Sequence, residues 1–150
     1  MTTTVLGLVG CGDKKHVRAT EAKNLYTSGY FQKKRRWAEG CDVWRILSAK
    51  HGLVHPDTTL EPYNTVISML DEAETEQWAR TVVEELQPLV EDVDKVIFLA
   101  GAEYAQPIMK LLSATDVDIY WPFEGKRIGE QAQWLGNNPR PDQSTFELFD

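Results

Sequence analysis

Short apolar runs alternate with amphipathic stretches along this chain. Thr4–Val9, Asp42–Leu47, Lys95–Ala100 and Val117–Tyr120 are brief and rich in β-branched or aromatic residues, the signature of buried strands. Between them the apolar period lengthens to that of a helix. One helix is expected from an N-cap at Thr27 or Ser28 to about Glu39, stopped by Gly40. A second is expected over Asp71–Leu86, with Ala73, Trp78, Val82, Val83 and Leu86 on one face and Pro88 helping to end it. A third covers Ala105–Leu112, where Pro107 is acceptable only in the first turn, and a fourth covers Ile128–Leu135. His16–Thr27 is polar and reads as loop. So does the tail from Gly136, which Phe146, Leu148 and Phe149 would pin to the body. Alternating strands and helices imply right-handed crossovers and a sheet covered on both faces. The expected fold is α/β: a single three-layer domain over residues 1–150 with a central four-stranded, mainly parallel sheet.

Residues 48–70 show neither period, and so long a connection in a compact domain is usually functional or disordered. Leu53, Val54, Leu60, Pro62 and Tyr63 argue against disorder, being apolar or rigid. The same stretch holds Ser48, Lys50, His51, His55, Asp57, Glu61 and Asn64. A part-buried loop with so many reactive groups is where a site is expected.

In parallel sheets, ligands sit beyond the carboxyl ends of the strands. Four features fall at that edge: the glycine turn Gly10-Cys11-Gly12 with Lys14 and Lys15, the Ser48 loop, Gly101–Tyr104, and Phe123-Glu124-Gly125. A glycine turn after a strand can offer backbone N–H groups to an anion.

Net charge is −7, which at first argues against a nucleic-acid partner. Its distribution changes that picture. Residues 1–50 carry ten Lys/Arg against four Asp/Glu, a net of +6; residues 51–150 carry six against nineteen, a net of −13. A basic face on an acidic body binds phosphates by Coulomb attraction and counterion release. Lys33, Lys34, Arg35 and Arg36 are its densest part, although four consecutive helical cations cannot all face one way. No run approaches the ~20 apolar residues of a membrane span, and the N-terminus has no basic n-region. A cytoplasmic protein is expected, with no membrane association, no obligate protein partner, and Cys11 and Cys41 as thiols.

Several chemistries lack their signatures. There is no GxxxxGK[ST] loop, no GxSxG elbow and no HExxH helix. His51 and His55 are four apart, but Gly52 and Pro56 disfavour the helix that would align them on a metal. No cofactor or metal is expected. The edge does offer carboxylates (Asp57, Glu61, Glu124), cations (Lys14, Lys15, Lys50), Ser48, Asn64, and the aromatics Tyr26, Tyr63 and Tyr104. A carboxylate among cations and stacking rings suits cleavage of a sugar–base bond, whose transition state has oxocarbenium character. Aromatics would stack on the base and Asn64 could read its edge.

Cys11-Gly12-x-Lys14-Lys15, Leu25-Tyr26-Thr27-Ser28, Ile46–Leu53, Glu61-Pro62-Tyr63 and Gly129-Glu130-Gln131 resemble segments of a group of small proteins. These carry an uncharacterised domain related to the peroxide-stress YaaA proteins. The domain is similar to the uracil-DNA-glycosylase fold and to the base-handling domain of archaeosine synthase. The resemblance runs from Val5 to about Leu135, and Ser48–Leu53 with Glu61–Tyr63 are its most specific parts. It implies a uracil-DNA-glycosylase-like fold and an anti-phage DNA glycosylase that excises α-glucosylated 5-hydroxymethylcytosine. The water-activating GQDPY segment of the uracil enzymes is absent here.

The expected activity is therefore metal-free, hydrolytic removal of a modified base from phage DNA, leaving an abasic site. Glu61 is the first choice of carboxylate, with Asp57 and Glu124 as rivals, and Ser48 and Lys50 hold phosphate or sugar. Cys11, Gly12, Tyr26, Tyr63, Asn64, Gly101, Tyr104 and Glu124 shape the substrate pocket. Lys14, Lys15, Lys33, Lys34, Arg35 and Arg36 hold the DNA backbone. Three alternatives stay open: a nucleotide or nucleoside N-glycosidase, a 7-deazaguanine-related tRNA enzyme, and a non-enzymatic YaaA-like DNA-binding protein.

Overall fold

The computed structural model describes residues 3–142. Phe146, Leu148 and Phe149, expected to pin the tail, lie outside the described residues. The central sheet has five strands: β1 (Val5–Gly10), β3 (Val43–Ser48), β4 (Gly52–Val54), β6 (Lys95–Leu99) and β7 (Asp118–Tyr120). Their order is β4-β3-β1-β6-β7, with every pairing parallel except β3 with β4. A separate two-stranded ribbon joins β2 (Thr20–Glu21) and β5 (Thr59–Leu60). The helices are α1 (Ala22–Leu25), α2 (Gly29–Ala38), α3 (Glu72–Val90), α4 (Ala102–Leu112) and α5 (Ile128–Asn137).

Side-chain alternation along β1 divides the core. Val5 and Val9 join the cluster under α2 and α5 with Phe31, Trp37, Ile97 and Leu135. Leu6 and Leu8 join the opposite cluster under α3 and α4 with Trp78, Val82, Leu86, Phe98 and Ile108. Burial on both faces explains why β1 and β6 read as continuous apolar runs. The end of α2 and the turn after it approach β1 closely at Gly7, where a Cβ would lie 3.5 Å from Ala38 Cβ and 3.0 Å from Cys41 Sγ.

Helix starts follow the expected chemistry. Ser28 caps α2, its Oγ accepting the Phe31 N–H at 3.1 Å. Asp71 caps α3 in a reciprocal box with Glu74.

Four expectations are corrected. The sheet has five strands rather than four, because the Ser48 loop folds back as β4 through a turn ending at Gly52, whose φ is +72°. Three residues are too few for a two-residue period to register in the sequence. His16–Thr27 contains β2 and α1 instead of loop alone, since Ala22 and Leu25 reach the core. Helix α3 continues through Pro88 to Val90, burying Val90 as well as Leu86. Helix α4 begins at Ala102, which places Pro107 inside the helix and not in its first turn. Among the described residues, no helix is long and apolar enough to cross a membrane.

Candidate functional site

At the carboxyl end of each of the three central strands, a side chain takes up a backbone carbonyl. Lys34 of α2 donates from Nζ to Gly10 O at 2.9 Å, Trp78 of α3 from Nε1 to Ser48 O at 2.9 Å, and Trp121 from Nε1 to Ala100 O at 3.0 Å. The carboxyl edge of the sheet is thus fixed from both faces and from the loop after β7. A buried backbone acceptor left unpaired would cost about 1–3 kcal/mol, so these donors stabilise the edge as well as shape it.

On that edge lies a chain of hydroxyl groups. Ser48 Oγ accepts the His51 N–H at 3.1 Å and lies 2.7 Å from Tyr63 OH, which lies 2.5 Å from Tyr26 OH. All three of these hydroxyl-bearing residues are buried. Beside them Cys11 Sγ is 3.3 Å from Tyr104 OH, and the Tyr104 ring meets Trp78 edge to face at 5.8 Å. Gly12 is half-buried; a Cβ there would stand 3.6 Å from Ser28 Oγ and 3.8 Å from Tyr26 Cβ, in ordinary contact. Burial pushes the phenols of Tyr26, Tyr63 and Tyr104 well above their ordinary value, and neighbouring Cys11 adds to the rise. They therefore remain neutral at physiological pH, able to donate and accept.

Cations and a ring surround Tyr63. Lys15 Nζ lies 4.5 Å from the Tyr63 ring centroid and 5.8 Å from that of Tyr26. Lys50 Nζ lies 5.8 Å from the Tyr63 centroid, and the His51 ring stands edge-on at 5.1 Å. Such contacts hold a cation near a desolvated face without neutralising it. The arrangement can bind an anionic group beside buried aromatic rings and can pass or orient protons along the hydroxyl chain.

The structure thus brings together Cys11, Gly12, Lys15, Tyr26, Ser48, Lys50, Tyr63 and Tyr104. It does not bring the carboxylates into that group. Glu61, Glu124 and Asn64 are exposed, and Asp57 is held by Lys23 at 2.6 Å. That hydrogen bond keeps the Asp57 carboxyl below its ordinary range. Glu61 lies between buried Leu60 and, beyond Pro62, buried Tyr63, so its backbone is held on both sides while its side chain is exposed. Gly101 serves as the N-cap of α4. The two histidines are apart in role: His51 packs on Tyr63, while His55 Nδ1 accepts the Asp57 N–H at 3.1 Å.

The basic run of α2 divides. Lys33 and Arg36 are exposed, as is Lys14. Lys34 is 3% exposed, with its ammonium 4.4 Å from the Tyr30 ring centroid. Burial lowers its pKa to about 8. A side chain so enclosed, with Nζ on Gly10 O, supports the strand end and offers nothing to a DNA backbone. Arg35 donates to Lys23 O and Asn24 Oδ1, both at 2.9 Å, tying α2 to α1. Lys33 and Arg36 line a groove of about 570 Å³ between α2 and α5, with Trp37, Asn137, Asn138 and Arg140.

Gly129-Glu130-Gln131 has a structural part. Glu130 Oε1 accepts the Arg127 N–H at 3.0 Å, and buried Gln131 accepts from the Tyr30 hydroxyl, joining α5 to α2. Trp78 and Trp121 are not among the expected site residues, whereas His51 lies in the stretch where the site is expected. A Trp on a helix face or after a strand reads as core in the sequence, and nothing there shows which strand end its N–H reaches.

No curated protein matches this chain. The crystal structure of AF0587, a protein of unknown function, is similar to it at 12% identity and a TM-score of 0.50. That alignment covers 87% of this chain and 42% of the other, so this chain spans less than half of that protein's length. The likeness concerns the fold alone. Residues 6–137, nearly the whole described body, match the family of unknown function DUF6884, and the chain belongs to that family.

Proposed function

We propose that this protein is a DNA N-glycosylase with a uracil-DNA-glycosylase-like fold. It removes a modified base, with α-glucosylated 5-hydroxymethylcytosine of phage DNA as the first candidate, and leaves an abasic site. The observation that carries this reading is the cluster around Tyr63. Buried hydroxyls of Ser48 and Tyr26 stand behind the ring while Lys15 and Lys50 stand beside it, all at the carboxyl edge of the sheet. The resemblance of Ser48–Leu53 and Glu61–Tyr63 to anti-phage glycosylases falls on the same residues.

The two lysines attract the phosphates that flank the target nucleotide. The flipped base enters against Tyr63 and Tyr104, with Cys11 and Gly12 at its back. As the bond from C1′ to the base nitrogen breaks, the base leaves with the electron pair and the sugar gains positive charge. Glu61, two residues before Tyr63, stabilises that charge or takes a proton from the attacking water. The hydroxyl chain, held neutral by burial, orients the leaving base through hydrogen bonds. Asp57 is a weaker candidate than Glu61 because Lys23 already neutralises it.

Duplex DNA carrying α-glucosylated 5-hydroxymethylcytosine, and the same duplex with cytosine, test the proposal. Free base is measured by mass spectrometry and abasic sites by alkaline cleavage. Release from the modified strand alone is expected. A protein that binds both duplexes and releases nothing is a DNA-binding protein, which overturns the enzyme reading.

A further inference from the structure

Helices α3 and α4 pack side by side over one face of the sheet. Helix α3 leads into β6, α4 follows it, and β6 and β7 are parallel, so both helices run from the carboxyl edge toward the opposite edge. Their inner sides carry Trp78, Val82, Leu86, Ala105, Ile108 and Leu112 into the core. Along the outer seam lies a trough, made of two openings of about 420 and 570 Å³ that share Leu70, Thr75, Pro107 and Lys110. Its floor is apolar: Ile67 and Ala79 are buried, while Leu70, Pro107 and Leu111 are half-buried and still reach solvent. Met69, between the lining residues Ser68 and Leu70, is 65% exposed.

The charges along the trough are sorted by sign. Glu72 and Glu103, in the first turns of α3 and α4, lie toward its end at the carboxyl edge, with Glu76 one turn on. Arg80 and Lys110 lie toward the other end. Arg80 follows Glu72 by eight positions and Lys110 follows Glu103 by seven, roughly 12 and 10 Å of helix. All five side chains are exposed. Glu76 and Arg80 approach to 3.8 Å, but an exposed pair of this kind contributes little and leaves both charges open to a stronger partner.

We propose that this trough is the contact surface between two copies of the chain, related by a two-fold axis across it. That axis sets the two troughs antiparallel, so the acidic end of each faces the basic end of the other and both contacts are attractive. A parallel arrangement would set like charges together. The apolar floors close on each other and leave water. A two-fold contact uses one patch on both copies, so assembly stops at the dimer. Nucleic acid does not suit this face: Glu72, Glu76 and Glu103 repel phosphates, and exposed Glu74, Glu84 and Glu85 extend the same sign along α3. The contact is independent of the chemistry at the Tyr63 cluster.

Sedimentation equilibrium of the full chain tests the proposal. A reversible monomer–dimer equilibrium is expected, with a dissociation constant at or below about 10⁻⁴ M, the weak end of specific contacts. Lys110→Glu and Glu72→Lys each place like charges together in both contacts, and each should weaken self-association by about tenfold or more. An equimolar mixture of the two variants restores opposite charges in both contacts, so a heterodimer should form with an affinity near that of the wild type. Both side chains are exposed, and recovery in the mixture is a result that misfolding cannot produce. A wild-type chain that sediments as a monomer well above the expected dissociation constant overturns the proposal. So does a dimer that neither variant weakens, or a mixture that associates no better than its parts.

Discussion

Ser48 Oγ and Tyr63 OH lie 2.7 Å apart, both buried, although 15 residues separate them in the chain. Tyr63 OH reaches Tyr26 OH as well, so one phenol joins the end of β3 to the end of α1. Tyr63→Phe leaves two buried hydroxyls short of a partner. Stability to urea should fall by about 1–3 kcal/mol. In a double-mutant cycle with Tyr26→Phe, the coupling should be about 0.5–3 kcal/mol. Additive effects would show that the hydroxyls do not act together.

Lys34 gives a pH-dependent stability. Burial lowers its pKa from 10.5 to about 8. Below about pH 8 the folded and unfolded chains both hold the proton, and charging the buried amine costs on the order of 3 kcal/mol. Between about 8 and 10.5 the unfolded chain holds the proton and the folded one does not, so this residue's contribution to stability rises with pH. Lys34→Met removes that dependence. The stability of the variant minus that of the wild type, by urea titration, should fall steadily across this window. A difference independent of pH would contradict the burial argument.

The basic run should separate into two functions. Lys33→Ala with Arg36→Ala should lower affinity for any DNA and flatten the salt slope by about one unit per lost phosphate contact, with stability unchanged. Arg35→Ala should instead destabilise the fold, because its guanidinium holds Lys23 O and Asn24 Oδ1. An unchanged salt slope in the double variant would show that Lys33 and Arg36 are merely solvated.

Gly52 closes the turn from β3 to β4 at φ +72°. An added Cβ would stand 2.8 Å from Glu85 Oε1, the far end of a flexible side chain that can move aside. The backbone is the larger problem, since left-handed geometry costs an L-residue about 1–2 kcal/mol. Gly52→Ala should lower the unfolding free energy by that amount. Because Ser48 lies on β3 opposite Gly52, base release should fall with it. Wild-type stability would mean that the turn relaxes.

Much of this architecture is legible in the chain because burial writes itself as a period. Val5–Gly10, Lys95–Leu99 and the face of α3 repeat often enough for the pattern to emerge. Gly52–Val54 does not, and its strand follows from pairing with Ile46, Leu47 and Ser48. The site is legible in part for a similar reason. Ser48, Tyr26, Tyr63, Cys11 and Tyr104 follow strand ends or flank them, and the fold brings strand ends together. The carboxylates near them in sequence carry no such guarantee. A carboxylate is buried only with a partner, and Glu61 and Glu124 remain exposed. Lys34 reverses the expectation for a charged run, since its place on the helix turns it inward toward Gly10 O.

The most direct measurement is the single-turnover rate of base release from duplex DNA containing α-glucosylated 5-hydroxymethylcytosine, for the wild type and for Glu61→Gln. The substitution keeps the shape and removes the charge that would stabilise the developing sugar cation. A rate lowered by roughly 10²-fold or more is predicted, with DNA affinity equal or higher. No release by the wild type would contradict the glycosylase itself. A normal rate in Glu61→Gln, Asp57→Asn and Glu124→Gln alike would contradict its carboxylate mechanism.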